Sequence, residues 1–144
     1  MVKEIYVAEI EPRYAETDMM GVVYHSNYLV WCEVARTGLY THLGYDYTTA
    51  RNDKVLWPVR RVSLDYQRPS FYGKRVYVET RIARFTGVRL IYNYVFRDEE
   101  GQVLATAMTE HGITDENLRV LNLHRHDEEM AKRLEAYQAL CTEE

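Results

Sequence analysis

Ser26-Asn27-Tyr28-Leu29-Val30-Trp31-Cys32-Glu33-Val34-Ala35-Arg36-Thr37-Gly38-Leu39-Tyr40-Thr41-His42-Leu43 is the stretch that decides the fold. Tyr28, Cys32, Ala35, Leu39 and Leu43 recur at i, i+4, i+7, i+11 and i+15, one stripe of an α-helix. Leu29, Trp31 and Val34 widen that stripe, so the helix is expected to be buried over more than half its circumference. Ser26 or Asn27 is placed to accept from the first free backbone N–H groups. Gly44 follows the last apolar residue, where a helix ends well. A short second turn is expected from Asp46.

On either side the period changes to two. Ile5 to Arg13 alternates and reads as a strand that ends near Pro12, which cannot donate to a ladder. Val55 to Arg68 is apolar and partly β-branched. The runs beginning at Val76, Val88 and Val103 alternate in turn, joined by Thr86-Gly87 and Glu99-Glu100-Gly101. Three long runs with short turns predict an antiparallel meander. Asp127 to Cys141 closes with a helix whose stripe is Met130, Leu134, Tyr137 and Cys141. Glu128–Lys132 and Glu129–Arg133 are favourably ordered i, i+4 pairs. One apolar helix needs a wrapper, and a long curved sheet supplies it. The class is α+β, and residues 1–144 read as a single domain without repeat or linker.

Composition narrows the function. With 144 residues, 47% hydrophobic, 28% charged and only 7 glycines and 3 prolines, the chain is neither disordered nor collagen-like. Its net charge of −4, with basic residues spread out, argues against a nucleic-acid partner. Its apolar runs are far short of a membrane span. No apolar stretch follows the charged opening Met1-Val2-Lys3-Glu4, so no secretory signal is expected. Cys32 and Cys141 form no CxxC, and two free thiols in a cytoplasmic protein are expected. Cys32 lies on the apolar stripe and reads as core. His124-Arg125-His126 has no evident third ligand, so no metal site is expected.

The chemistry concentrates in Arg13-Tyr14-Ala15-Glu16-Thr17-Asp18-Met19-Met20-Gly21-Val22-Val23-Tyr24-His25-Ser26-Asn27-Tyr28. A carboxylate, a histidine and a helix amino end fall within a dozen positions. The helix end offers unpaired N–H groups and partial positive charge, suited to a developing oxyanion. A carboxylate beside it can attack a carbonyl or activate water. The plainer reading stands next to this one: Asp18 closes an Asx turn, and His25 only starts the helix.

The stretch from Tyr14 to Gly44 resembles the 4-hydroxybenzoyl-CoA thioesterase family of hotdog-fold enzymes, within it most of all the acyl-CoA thioesterases encoded beside the Tol–Pal envelope proteins. Tyr14, Thr17-Asp18, Gly21-Val22-Val23-Tyr24-His25, Asn27-Tyr28, Glu33, Ala35-Arg36 and Gly44 carry the resemblance. Pro58-Val59 and the strand pattern through His111 extend it to residues 3 to 125. It implies a sheet wrapped around one central helix, with Asp18 as general base or nucleophile. His25 would start the helix, its backbone N–H polarising the thioester carbonyl, and Tyr14 would lie beside both. Tyr24, Asn27 and Glu33 are candidate substrate contacts, Glu33 against the acyl group as in some relatives; where relatives specific for an aromatic acyl group set an Arg/Lys cluster for the coenzyme phosphates, only Arg84 and Arg89 stand here as candidate contacts, so the phosphates are expected to lie mostly in solvent.

Two chains would pair edge to edge with each site between them, giving a homodimer or homotetramer. The substrate would be a short-chain or aromatic acyl-CoA, or an acyl group on acyl carrier protein, with no cofactor beyond the coenzyme A of the substrate. The rivals are a dehydratase on the same fold and a non-catalytic acyl-CoA binder. Many relatives carry prolines after the last strand; here none follows Pro69, so the C-terminal region is expected to pack differently.

Overall fold

The computed structural model describes residues 4–45 and 54–143. Five strands form one antiparallel sheet: β1 (Tyr6–Ile10), β2 (Val59–Tyr66), β3 (Val76–Phe85), β4 (Arg89–Arg97) and β5 (Val103–Gly112), in the order β1-β3-β4-β5-β2. The helix α1 (Asn27–His42) packs on its inner face; α2 (Leu123–His126) and α3 (Glu128–Glu143) follow the last strand. This is the expected hotdog arrangement. The turn expected from Asp46 lies outside the described residues.

The core forms where the helical stripe meets the period-two rows. Tyr28, Trp31, Cys32, Ala35 and Leu39 are buried against Val76, Val78, Ile82, Leu90, Tyr94 and Phe96. Tyr28 and Phe96 meet at 5.2 Å between ring centroids, nearly edge to face. The widened stripe is corrected: Trp31 is buried, but Leu29 is 42% and Val34 48% exposed, as is neighbouring Val30 at 51%. The sheet covers one side of α1 only.

The inner face of the sheet continues beyond that helix. Ile82, Tyr92, Thr109 and Val62 share one cross-strand row, and Val78, Phe96, Ala105 and Tyr66 share another. The first three members of each row are buried, whereas Val62 and Tyr66 on the edge strand β2 are exposed. An apolar strip on β2 therefore lies uncovered beside the apolar row of α1.

At the other edge, β1 pairs with β3 only from Val76 to Thr80. There α3 takes over. The Tyr137 hydroxyl accepts from the Tyr6 N–H at 2.8 Å and donates to the Thr80 carbonyl at 2.6 Å. Gln138 Oε1 accepts from the Phe85 N–H at 3.1 Å. The Asp127 carboxylate caps α3 by accepting from the Met130 N–H, and the pairs Glu128–Lys132 and Glu129–Arg133 both form.

The expected cap of α1 does not form, and a polar partner sets the turn after the last strand. Neither Ser26 nor Asn27 caps α1 through its side chain: Ser26 already has helical dihedrals, and the Asn27 amide is drawn to the preceding loop. His124-Arg125-His126 lies in a short helical turn started by Asn122, whose side chain accepts from the His124 N–H at 2.9 Å. In both cases a nearby polar partner sets the local geometry.

Candidate active site

Residues 17–23 form a miniature hairpin ahead of α1. Thr17 and Val23 bridge antiparallel, and the Asp18 N–H donates to the Val22 carbonyl at 2.8 Å. Gly21 supplies the positive φ of +79° that the tip requires. A third short segment locks the hairpin down: Val22 bridges Phe71, and the Val23 N–H donates to the Ser70 carbonyl at 2.9 Å. Beneath it the Tyr28 and Ser70 hydroxyls bond at 2.7 Å inside the core.

Asp18 does close an Asx turn. Its Oδ1 accepts from the Met20 N–H at 2.8 Å and the Val22 N–H at 3.2 Å. Among the described residues no donor reaches Oδ2. The plain reading thus holds for one oxygen and leaves the second for other work. The side chain is half-buried, with exposed Met19 and Met20 beside it.

His25 is exposed and immediately precedes Ser26, the residue before α1. The first helical hydrogen bonds run from the Asn27 N–H to the Tyr24 carbonyl and from the Tyr28 N–H to the His25 carbonyl. Among the described residues no acceptor meets the N–H of His25 or of Ser26. This is the unpaired amide end expected of a helix. The Tyr24 ring lies on the His25 ring at 4.4 Å. Tyr14 is exposed and meets Tyr72 edge-on at 5.9 Å.

The structure also places residues that the sequence reading passed over. Tyr66, from the free edge strand, donates its hydroxyl to the His25 carbonyl at 3.0 Å. Glu16 is a buried carboxylate, 6% exposed. Its Oε1 accepts from the Arg13 N–H at 2.8 Å and its Oε2 from the Trp31 indole at 3.0 Å. Its carbonyl accepts from the Tyr24 N–H at 2.8 Å and the Asn27 amide at 2.9 Å. The Asn27 amide nitrogen expected to contact substrate is therefore engaged within the loop.

Other expected contacts lie elsewhere. Glu33 sits on the exposed side of α1. Arg84 and Arg89 flank the β3–β4 turn, at the far end of the ten-residue β3 from Phe71 and the hairpin. At ~3.3 Å per residue that strand spans roughly 30 Å. Arg89 instead bonds Glu110 at 3.2 Å, which Arg60 also reaches at 2.9 Å. One chain does not bring either arginine to Asp18. Cys32 is fully buried, and burial pushes its thiol up to about 12, which fits its expected place in the core.

A family model described as the thioesterase-like superfamily matches residues 12–134. The YneP protein of Bacillus subtilis is 42% identical over 107 residues, covering 74% of this chain and 78% of its own. The acyl-CoA thioester hydrolase YbgC of Escherichia coli O157:H7 is 28% identical over 94 residues, covering 65% and 70%. The crystal structure of a DHNA-CoA thioesterase from Staphylococcus aureus superposes with a TM-score of 0.89 at 34% identity, covering 95% of this chain and 93% of that one. The match spans the hairpin, α1 and the sheet alike, and on it the chain belongs to the thioesterase-like superfamily.

Proposed function

We propose that the chain hydrolyses acyl-CoA thioesters to a free acid and coenzyme A. The observation that carries the reading is the pairing of Asp18, whose Oδ1 is pinned while its Oδ2 meets no donor among the described residues, with the amide end of α1, unpaired among those same residues and just past the end of the hairpin. The His25 N–H donates to the thioester carbonyl oxygen and stabilises the charge that develops there, a contribution of about 2.7–4 kcal/mol for one such donor. Asp18 either takes a proton from water as the water oxygen attacks, or attacks the carbonyl carbon itself. On the first route the tetrahedral adduct expels the thiolate, which receives the proton from Asp18. On the second the C–S bond breaks and the coenzyme thiolate leaves as a mixed anhydride with Asp18 forms, and water then cleaves the anhydride to the free acid and the Asp18 carboxylate. Neither route assigns work to a metal or redox cofactor. Tyr14 and Tyr24 border the acyl group, which is short-chain or aromatic.

The reading includes a second copy of the chain. The strip of Val62 and Tyr66 on the edge strand β2 and the row of Leu29, Val30 and Val34 on α1 are both apolar and both exposed. Pairing two copies there, as a homodimer or a dimer of dimers, removes both from water. Glu33 then faces the acyl group across the interface, and a phosphate-binding role for Arg84 and Arg89 requires this assembly. The Tyr14–Gly44 motif supports a place in the 4-hydroxybenzoyl-CoA thioesterase branch, nearest its Tol–Pal-associated subgroup, with acyl carrier protein as an alternative carrier. Among the described residues no helix is long and apolar enough to cross a membrane, and we assign the enzyme to the cytoplasm.

Asp18→Asn tests the mechanism. Asparagine keeps the Asx turn, because its oxygen still accepts from Met20 and Val22, but it removes the charge. Thiol release should fall by orders of magnitude at an unchanged melting temperature. Turnover like that of the wild type would remove Asp18 from the mechanism. A panel of acyl-CoA substrates identifies the acyl group, and hydration of an enoyl-CoA without thiol release would favour the dehydratase.

A further inference from the structure

We infer that Glu16 is the positioning residue that fixes Asp18 and the amide end of α1 relative to each other. The inference rests on the thioesterase reading above and adds a residue that no part of that reading uses. Three separate pieces of backbone converge on Glu16. Oε1 holds the segment that follows β1 through the Arg13 N–H. Oε2 holds the first turns of α1 through the Trp31 indole. The Glu16 carbonyl holds the segment just before α1 through the Tyr24 N–H and the Asn27 amide. Asp18 lies two residues downstream on one arm of the hairpin, and His25 one residue beyond Tyr24 on the other.

A carboxylate is suited to this place because both of its oxygens accept and both contacts here are N–H donors. Left unmet, the Trp31 indole N–H would be a buried orphan beside the site. The Arg13 guanidinium, 3.6 Å from Oε1, is largely exposed and adds little. Glu16 touches no reacting atom in this scheme, so its effect on turnover is entirely through geometry. A misplacement of ~1 Å suffices to slow a reaction ~100-fold.

Glu16→Gln tests it. The glutamine keeps size and one acceptor, but its NH₂ must face an N–H donor at Arg13 or Trp31. With thiol release as the assay, kcat should fall about 10- to 100-fold, KM should change little, and the pH profile of kcat should keep its position. Adding Trp31→Phe removes one facing donor and should restore kcat to that of Trp31→Phe alone. Amide exchange across residues 17–25 should be faster in Glu16→Gln than in the wild type. Wild-type kcat in Glu16→Gln, no recovery in the double variant, or a shifted pH profile would each overturn the inference. A wild-type protein that releases no thiol from any acyl-CoA would sink the thioesterase reading by itself. The positioning role is then judged on exchange alone, and unchanged protection in Glu16→Gln overturns it.

Discussion

The Tyr66 hydroxyl donates to the His25 carbonyl oxygen at 3.0 Å, tying the edge strand β2 to the residue two positions before α1. The same peptide region carries the unpaired N–H groups, so the strand edge and the helix end are mechanically one unit. Tyr66→Phe removes the bond and keeps the ring packing against Tyr28. A net hydrogen bond contributes roughly 0.5–1.5 kcal/mol. The expected result is a drop in kcat of about 3- to 10-fold with little change in melting temperature. Steady-state thiol release and a thermal scan on one preparation check both.

Gly38 lets α1 approach β1. A Cβ built there lies 1.9 Å from the Tyr6 hydroxyl and 2.6 Å from its Cζ. Alanine in a helix ordinarily stabilises by ~1 kcal/mol over glycine. Here the overlap costs more, about 1–3 kcal/mol as an overpacked contact. Gly38→Ala should lower the melting temperature; a rise would show that Tyr6 swings aside without loss.

His111 is buried in a directional chain. Arg36 donates to the Tyr94 hydroxyl at 3.1 Å, Tyr94 meets Thr109 at 2.7 Å, and Thr109 meets His111 at 2.9 Å. The other ring nitrogen reaches the Trp57 carbonyl at 3.0 Å. Burial, aided by the Arg36 charge, lowers the imidazole to about 4. The unfolded chain takes up this proton as pH falls through ~6.5, whereas the folded chain refuses it until about 4. The stability at stake is therefore full above ~6.5 and is lost on acidification across that window, reaching about 3 kcal/mol at its lower end. Urea midpoints at pH 7 and pH 5 should separate more in the wild type than in His111→Gln. Parallel profiles would rule the residue out.

Val34→Asp places a charge on the exposed apolar row of α1 while leaving the core untouched, since Val34 is 48% exposed. The variant should elute as a folded monomer by light scattering and lose thiol release. Full activity in a monodisperse monomer would contradict a site shared between copies.

The rods and ribbons of the fold were legible because their periods differ. Tyr28, Cys32, Ala35 and Leu39 repeat as a helix, and Val76 to Met108 repeats as strands, with Gly87 and Gly101 at positive φ where the turns were expected. Contacts between distant segments were not legible. Glu16 sits among loop residues, where an acid reads as solvated; only Trp31, fifteen positions away, makes it a buried anchor. The available signal was the indole itself, a donor on an apolar stripe that must find an acceptor once buried. Tyr66 gave no such signal, because its partner is a main-chain carbonyl that any residue at position 25 would supply. The uncovered row of Leu29 and Val34 was misread because periodicity reports which side chains are apolar, not whether the same chain buries them.

The two margins of the sheet are unequal. One is the five-residue β1, beyond whose end the terminal helix covers the rest of β3 through Tyr137 and Gln138; the other is the eight-residue β2, which among the described residues pairs only with β5. A ribbon with two bare margins can recruit neighbours without limit, and that is how fibres grow. By covering the half of β3 that β1 leaves unpaired, the closing helix removes one long template from the molecule and leaves β2 as the longer margin on which a neighbour could add.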